Sequence, residues 1–124
     1  MRANYLIFNF GGPSPPDEVM NTEGYNSFPL GSVEYVREQF ARYLPEAWWN
    51  DEDPTIASVV DQTYLIDFYA SPNDDGLVYN IGVFPYGTAR AGLFMRRVCL
   101  PNGWWVFAAG SGDWIPPGDL GENT

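Results

Sequence analysis

Trp48-Trp49-Asn50-Asp51-Glu52-Asp53 brings together the residue types most able to do chemistry in this chain. Two tryptophans beside three consecutive carboxylates suit protein recognition. Indoles anchor an interface with large apolar area, and flanking acids steer a basic partner toward them. The alternative is structural, with one or both tryptophans capping the end of a core while the acids face solvent. A calcium loop needs the alternating D-x-D-x-D-G ligands that wrap oxygen atoms around the ion, and the run lacks them. Asp74 and Asp75, followed by Gly76, supply hairpin-turn chemistry first and a secondary acidic contact second.

Catalytic readings fall away residue by residue. The chain has no histidine, which removes Ser-His-Asp and Cys-His catalysis and every His-ligated metal site. It has no lysine either, so Ser111 lacks both common bases that would activate a serine nucleophile. Cys99 is the single cysteine; its setting, Arg97-Val98-Cys99-Leu100, is that of a buried thiol. Phe10-Gly11-Gly12-Pro13 has no Lys-Ser/Thr behind it, and Gly110-Ser111-Gly112-Asp113 has no helix after it, so neither cradles a phosphate. Paired-carboxylate catalysis needs two acids at a fixed separation in divergent environments, and no pair stands out. The expectation is a binding protein without catalytic residues, cofactor or metal.

Charge narrows the partner. Sixteen carboxylates against six arginines give a net charge of −10. That balance opposes a sequence-independent grip on nucleic acid or on an anionic membrane and favours a basic protein. No run approaches the ~18 apolar residues of a membrane span. The opening Met1 to Phe10 is broken by Asn9 and followed by Gly-Gly-Pro, so it reads as a strand rather than a signal peptide, and the expected compartment is the cytoplasm.

The elements that must position these residues follow from spacing. With 124 residues, 45% of them hydrophobic, and eight Phe, eight Tyr and five Trp, the chain can bury a core as one domain. Tyr5 to Phe10 predicts a first strand, and residues 11–31 a long loop with a short turn near Asp17 to Met20. Ser32 reads as an N-cap for a helix carrying Val33, Val36, Phe40 and Leu44 on one stripe, with Glu38 and Arg42 paired outside and Pro45 ending it. Residues 46–54 form an irregular connector, and 55–60 suit a helical turn or a strand equally. Tyr64–Ala70 and Leu77–Phe84 predict a hairpin around the turn at 71–76. Thr88 would cap a second helix from Ala89 to Cys99, with Ala91, Phe94, Met95 and Val98 inward and Pro101-Asn102-Gly103 stopping it. Trp104 to Ala108 is the last long strand, and Trp114-Ile115 pairs briefly. The domain then spans 1–115, with 116–124 a loose tail.

The order β-α-β-β-α-β predicts an α+β fold of the ferredoxin-like split βαβ kind, a four-stranded antiparallel sheet with two helices on one face. Leu6, Phe8, Phe10, Ile66, Phe68, Tyr79, Ile81 and Val83 are expected toward the helices. Tyr5, Asn9, Asp67, Tyr69 and Asn80 are expected on the open face, which offers a homodimer or partner surface. RNA-binding sheets also carry aromatics there, but they need a basic surround and an Arg/Lys-Gly-aromatic motif, both missing here.

Three features resemble the small bacterial immunity proteins that accompany polymorphic toxins. They are the opening strand into a Pro/Gly loop (Asn4 to Pro16), the hairpin pair Tyr64 to Phe84, and the helix running into Asn102-Gly103-Trp104-Trp105-Val106-Phe107 ahead of the turn Gly110 to Asp113. The resemblance implies a non-enzymatic inhibitor that binds and occludes a cognate toxin, and it carries over no individual residue. Competing classes are a nucleic-acid mimic of the anti-restriction or anti-CRISPR type and a housekeeping domain. Mimicry predicts acids in rows along one face, whereas these cluster at 51–53 and 74–75.

Overall fold

A computed structural model describes residues 3–11, 27–60, 64–87 and 90–121. Within them the strands are β1 (Tyr5–Phe8), β2 (Gly31–Ser32), β3 (Trp48–Trp49), β4 (Ile56–Val60), β5 (Tyr64–Tyr69), β6 (Leu77–Val78), β7 (Asn80–Gly87), β8 (Trp105–Ala108) and β9 (Asp113–Ile115). The helices are α1 (Val33–Tyr43) and α2 (Gly92–Asn102), with a 3₁₀ turn at Pro117–Asp119. The expected turn at Asp17 to Met20, the Thr88 cap and the helix start at Ala89 lie outside the described residues.

The protein is α+β, with both helices packed on an antiparallel sheet, but the sheet has seven strands, not four. Their order is β3-β4-β5-β7-β1-β8-β9, and β2 pairs separately with β6. Three further strands account for the difference: one in the connector expected to be irregular, one where helix and strand were left open, and the brief pairing expected at Trp114-Ile115. The connector carries β3, and residues 55–60 resolve as β4, forming a hairpin that extends the β5 edge. Beyond β8, the turn at 109–112 returns the chain as β9. The expected hairpin is present as β5 on β7, with Tyr69 opposite Gly82 and Tyr64 opposite Gly87. Its second strand starts later than predicted because Leu77 and Val78 pair with Ser32 and Gly31 instead.

Helix α1 forms as its spacing requires. The Ser32 hydroxyl oxygen accepts the Tyr35 N–H at 3.1 Å, satisfying one of the four donors a helix start leaves unmet. Val36, Phe40 and Leu44 are buried on one stripe, and Phe40 meets Phe68 edge-on at 5.2 Å. Full burial of a side chain of this size contributes about 1.5–3 kcal/mol. Helix α2 buries Met95, Val98 and Cys99, with Ala91 buried at its N-cap, and it runs three residues past the expected end. Pro101 cannot donate to the Arg97 carbonyl, but the side-chain amide of Asn102 donates to the Val98 carbonyl at 2.8 Å. The stop is Gly103, left-handed at φ 68°, after which the Trp104 N–H reaches the Cys99 carbonyl. Burial pushes the Cys99 thiol far above its ordinary range, so it stays protonated and unreactive.

One expectation about the faces is corrected. In β1 it is Ile7, fully buried, that faces the helices, beside Ile81 and Val106, and Tyr5 shares its pleat next to Val83. Leu6 and Phe8 lie on the open face, and Phe10 joins Phe8 there against Trp114. The run Tyr5 to Phe10 is apolar at all but one position, so alternation does not say which set turns inward; partner register does. Tyr79 also leaves the core list. It stands between β6 and β7, with its hydroxyl donating to Asp75 at 2.6 Å.

The chain from Pro116 is packed as far as it is described. Leu120 is 1% exposed, and the Arg96 guanidinium donates to the carbonyls of Gly118 (2.7 Å) and Leu120 (3.1 Å). Among the described residues, no helix is long and apolar enough to cross a membrane.

Candidate interaction site

Successive side chains in a strand point to opposite faces, and this divides the two tryptophans. Trp49 pairs with Ala57 and turns inward, its ring 5.4 Å from Phe40, while the Arg37 guanidinium lies over the indole, 5.1 Å from its centroid. Arg37 also donates to the Pro54 carbonyl at 3.2 Å, so α1 clasps the connector through an aromatic face and a backbone oxygen. Trp48, opposite Ser58, turns to the open face and is 51% exposed. The pair is thus split: Trp49 caps the core and Trp48 stands half in solvent.

The acids after them are exposed yet ordered. Asn50 Oδ1 accepts the N–H of Glu52 at 2.7 Å and of Asp53 at 3.2 Å, an Asx turn that folds the run back on itself. Asp53 Oδ1 then accepts both the hydroxyl (2.6 Å) and the N–H (3.1 Å) of Thr55, and these bonds hold its carboxyl below the usual range. Asp51 and Glu52 remain exposed to solvent. The run is therefore a hydrogen-bonded acidic turn between β3 and β4.

Asp74 and Asp75 come to the same end of the sheet. Ile56 is opposite Tyr69, and the Ala70 N–H donates to the Thr55 carbonyl at 2.8 Å, so the turns that follow β5 and precede β4 are neighbours. Asp75 is tied down by the Tyr79 hydroxyl and by the Leu77 N–H at 2.9 Å, which lower its carboxyl, and the bond to Asp75 raises the Tyr79 phenol. Asp74 is exposed at the tip.

The spacing puts Asp67 and Tyr69 on the open face, as expected, but does not give the neighbours they gain there. Across β3, β4, β5 and β7 the register sets Trp48, Ser58, Asp67 and Phe84 in one row. Ser58 donates its hydroxyl to Asp67 Oδ1 at 2.7 Å. Tyr69 and Phe84 pack with ring centroids 4.8 Å apart. Further along, Trp114 gathers Phe8, Phe10 and Phe107 within 5.5 Å of its ring. Nearby in the ladder, Trp105 is 7% exposed and its indole Nε1 has no acceptor among the described residues. The signal for this face was present in β5 as Asp67 between Leu65 and Tyr69, but its neighbours come from strands that had to be placed first.

At the opposite end of β1, an open cleft of about 410 Å³ is lined by Ala3, Asn4, Tyr5 and residues 108–111 without a charged side chain. Among the described residues, no three Cys, Asp or Glu side chains converge as metal ligands do. A scan of protein-family models finds no match to this chain, and neither do searches of curated proteins and of solved structures.

Proposed function

We propose that this chain is a non-enzymatic inhibitor, an immunity-type protein that binds a basic toxin domain in the cytoplasm and occludes it. The observation that carries the reading is the hydrogen-bonded acidic turn Asp51, Glu52, Asp53 beside the half-exposed indole of Trp48, with Asp74 and Asp75 at the same end of the sheet. Fixed negative charge steers a basic partner, and an exposed indole gives it a place to desolvate. Trp49 supports the site from beneath. For the fold, we read β1, α1, β5, β7, α2 and β8 as a ferredoxin-like unit; the support is their sheet order, β5-β7-β1-β8, with every pairing antiparallel.

The test is to purify the chain with the product of its neighbouring gene and follow association by stopped flow. Replacing the three acids (Asp51→Asn, Glu52→Gln, Asp53→Asn) is expected to slow association and flatten its salt dependence, because rim charges act on the on-rate. Unchanged kinetics would place the site elsewhere.

A further inference from the structure

Asp67 is a carboxylate the acidic turns do not account for. It lies in the middle of the open face, half-buried, with one oxygen holding the hydroxyl of Ser58, which is itself 6% exposed. Tyr69 follows it two residues along β5, and Phe84 faces it across the ladder. Tyr86 comes two residues later on β7; burial and the nearby charges of Asp67 and Tyr69 raise its phenol above the ordinary range. Trp48 is two strands away, about 10 Å at the usual strand spacing.

A carboxylate drawn partly out of water among rings costs free energy unless a cation or donors meet it. Ring faces carry negative charge density, so they favour a cation as well. The ligand that satisfies both is flat and positive. A guanidinium offers a fork of N–H groups to the carboxylate and two planar faces to the rings, whereas an ammonium is a compact point charge that keeps its water.

We propose that this patch seats an arginine side chain of a basic protein partner, with Asp67 pairing the guanidinium and Tyr69, Phe84 and Trp48 packing against its faces. The proposal rests on the reading of the chain as a binder of a basic protein, and it names the group that is recognised. Charge complementarity supports that occupant. The chain carries −10, and the acidic turn borders this face, since Ile56, which follows it, pairs with Tyr69 one row from Asp67. The exposed acids attract at a distance and are screened by salt; Asp67, shielded by rings, holds what arrives. Ser58 is a positioning residue that fixes the carboxylate.

The experiment is a ¹H–¹⁵N NMR titration of the full chain at near-physiological salt with Ac-Ala-Arg-Ala-NH₂, the citrulline analogue and the lysine analogue. The arginine peptide is expected to shift the amides of Ser58, Asp67, Tyr69 and Phe84 and to saturate. Asp67→Asn, which keeps an oxygen for the Ser58 hydroxyl, should weaken it at least about tenfold, the loss of a charge-assisted hydrogen bond. Phe84→Leu keeps the apolar volume and should weaken it about threefold; it decides the matter if the Asp67 variant does not fold. The triple variant of the turn should change affinity less than either. Equal binding of the citrulline or lysine peptide, shifts confined to residues 51–53 or 74–75, or an Asp67→Asn variant that binds unchanged would each overturn the arginine seat. If the wild-type chain ignores the peptide yet binds its partner with salt-dependent kinetics, the seat falls and the inhibitor reading stands. Peptide binding without any partner complex gives the reverse.

Discussion

Within β3 the pleat sends Trp49 against Phe40 and Arg37 and leaves Trp48 half in water, so two identical residues have different work. Their substitutions should separate accordingly. Trp49→Ala removes an indole packed on the core and is expected to cost about 2–4 kcal/mol, somewhat under the figure for a fully buried aromatic. Trp48→Ala should stay within about 0.5 kcal/mol of wild type while raising the off-rate of the partner complex. Urea unfolding checks the first and surface-immobilised dissociation the second. Equal stability losses would show that Trp48 is also structural. Asn50 acts at the same scale, since its side-chain oxygen orders the acidic turn through two backbone donors. Asn50→Ala should lower stability by about 0.5–1.5 kcal/mol, the net worth of a typical hydrogen bond, and slow association by loosening the acids. Amide exchange at Glu52 and Asp53 should rise with it.

Between elements, the segment after α1 is fastened to α2 by Glu46 and Arg97, whose charged atoms are 2.6 Å apart. The Arg97 hydrogen bond, a backbone N–H and the charge of Arg97 hold the Glu46 carboxyl below its ordinary range. A carboxyl depressed in the folded state stabilises fully above its unfolded pKa, and that contribution is lost as pH falls through the folded value. Asp53 and Asp75 are depressed in the same direction by Thr55 and by Tyr79 with Leu77. Stability is therefore expected to decline as pH drops below the ordinary carboxylate range. Arg97→Gln should return Glu46 to that range in an NMR titration and make the acid limb shallower. The pair is half-exposed, so its worth near neutral pH is small. A Glu46 titration unmoved by Arg97→Gln would show that the backbone alone sets it.

For the whole molecule, the acids at 51–53 and 74–75 share one end of the sheet and act as one field. The on-rate for a basic partner should then fall with ionic strength, as steered association does. Neutralising Asp74 and Asp75 together should weaken that salt dependence further in the background of the triple turn variant, and additive changes in the logarithm of the on-rate would mark a shared field. An on-rate indifferent to salt in the wild-type chain would mean that the charge serves some purpose other than steering.

Much of this was legible before any coordinate. Ser32, Val36, Phe40 and Leu44 announced α1 because a cap and a 3.6-residue stripe are local properties. Turn residues at 71–76 announced the β5–β7 hairpin, and the missing histidine and lysine narrowed the chemistry without any fold at all. What the chain alone left open were the facts that depend on partners. Ile56–Val60 suits helix or strand until β5 offers a ladder. The apolar run of β1 does not reveal its inner face until Ile7 is set beside Ile81 and Val106. Trp48 and Trp49 are alike until the edge pairing gives them opposite sides, and Asp67 is one acid among sixteen until Ser58, Tyr69 and Phe84 stand around it. Local periodicity fixes where a helix or turn begins, because the bonds that make it lie within a few residues. Pairing register and the choice of face are settled by residues far apart in sequence, and only the assembled sheet brings them together.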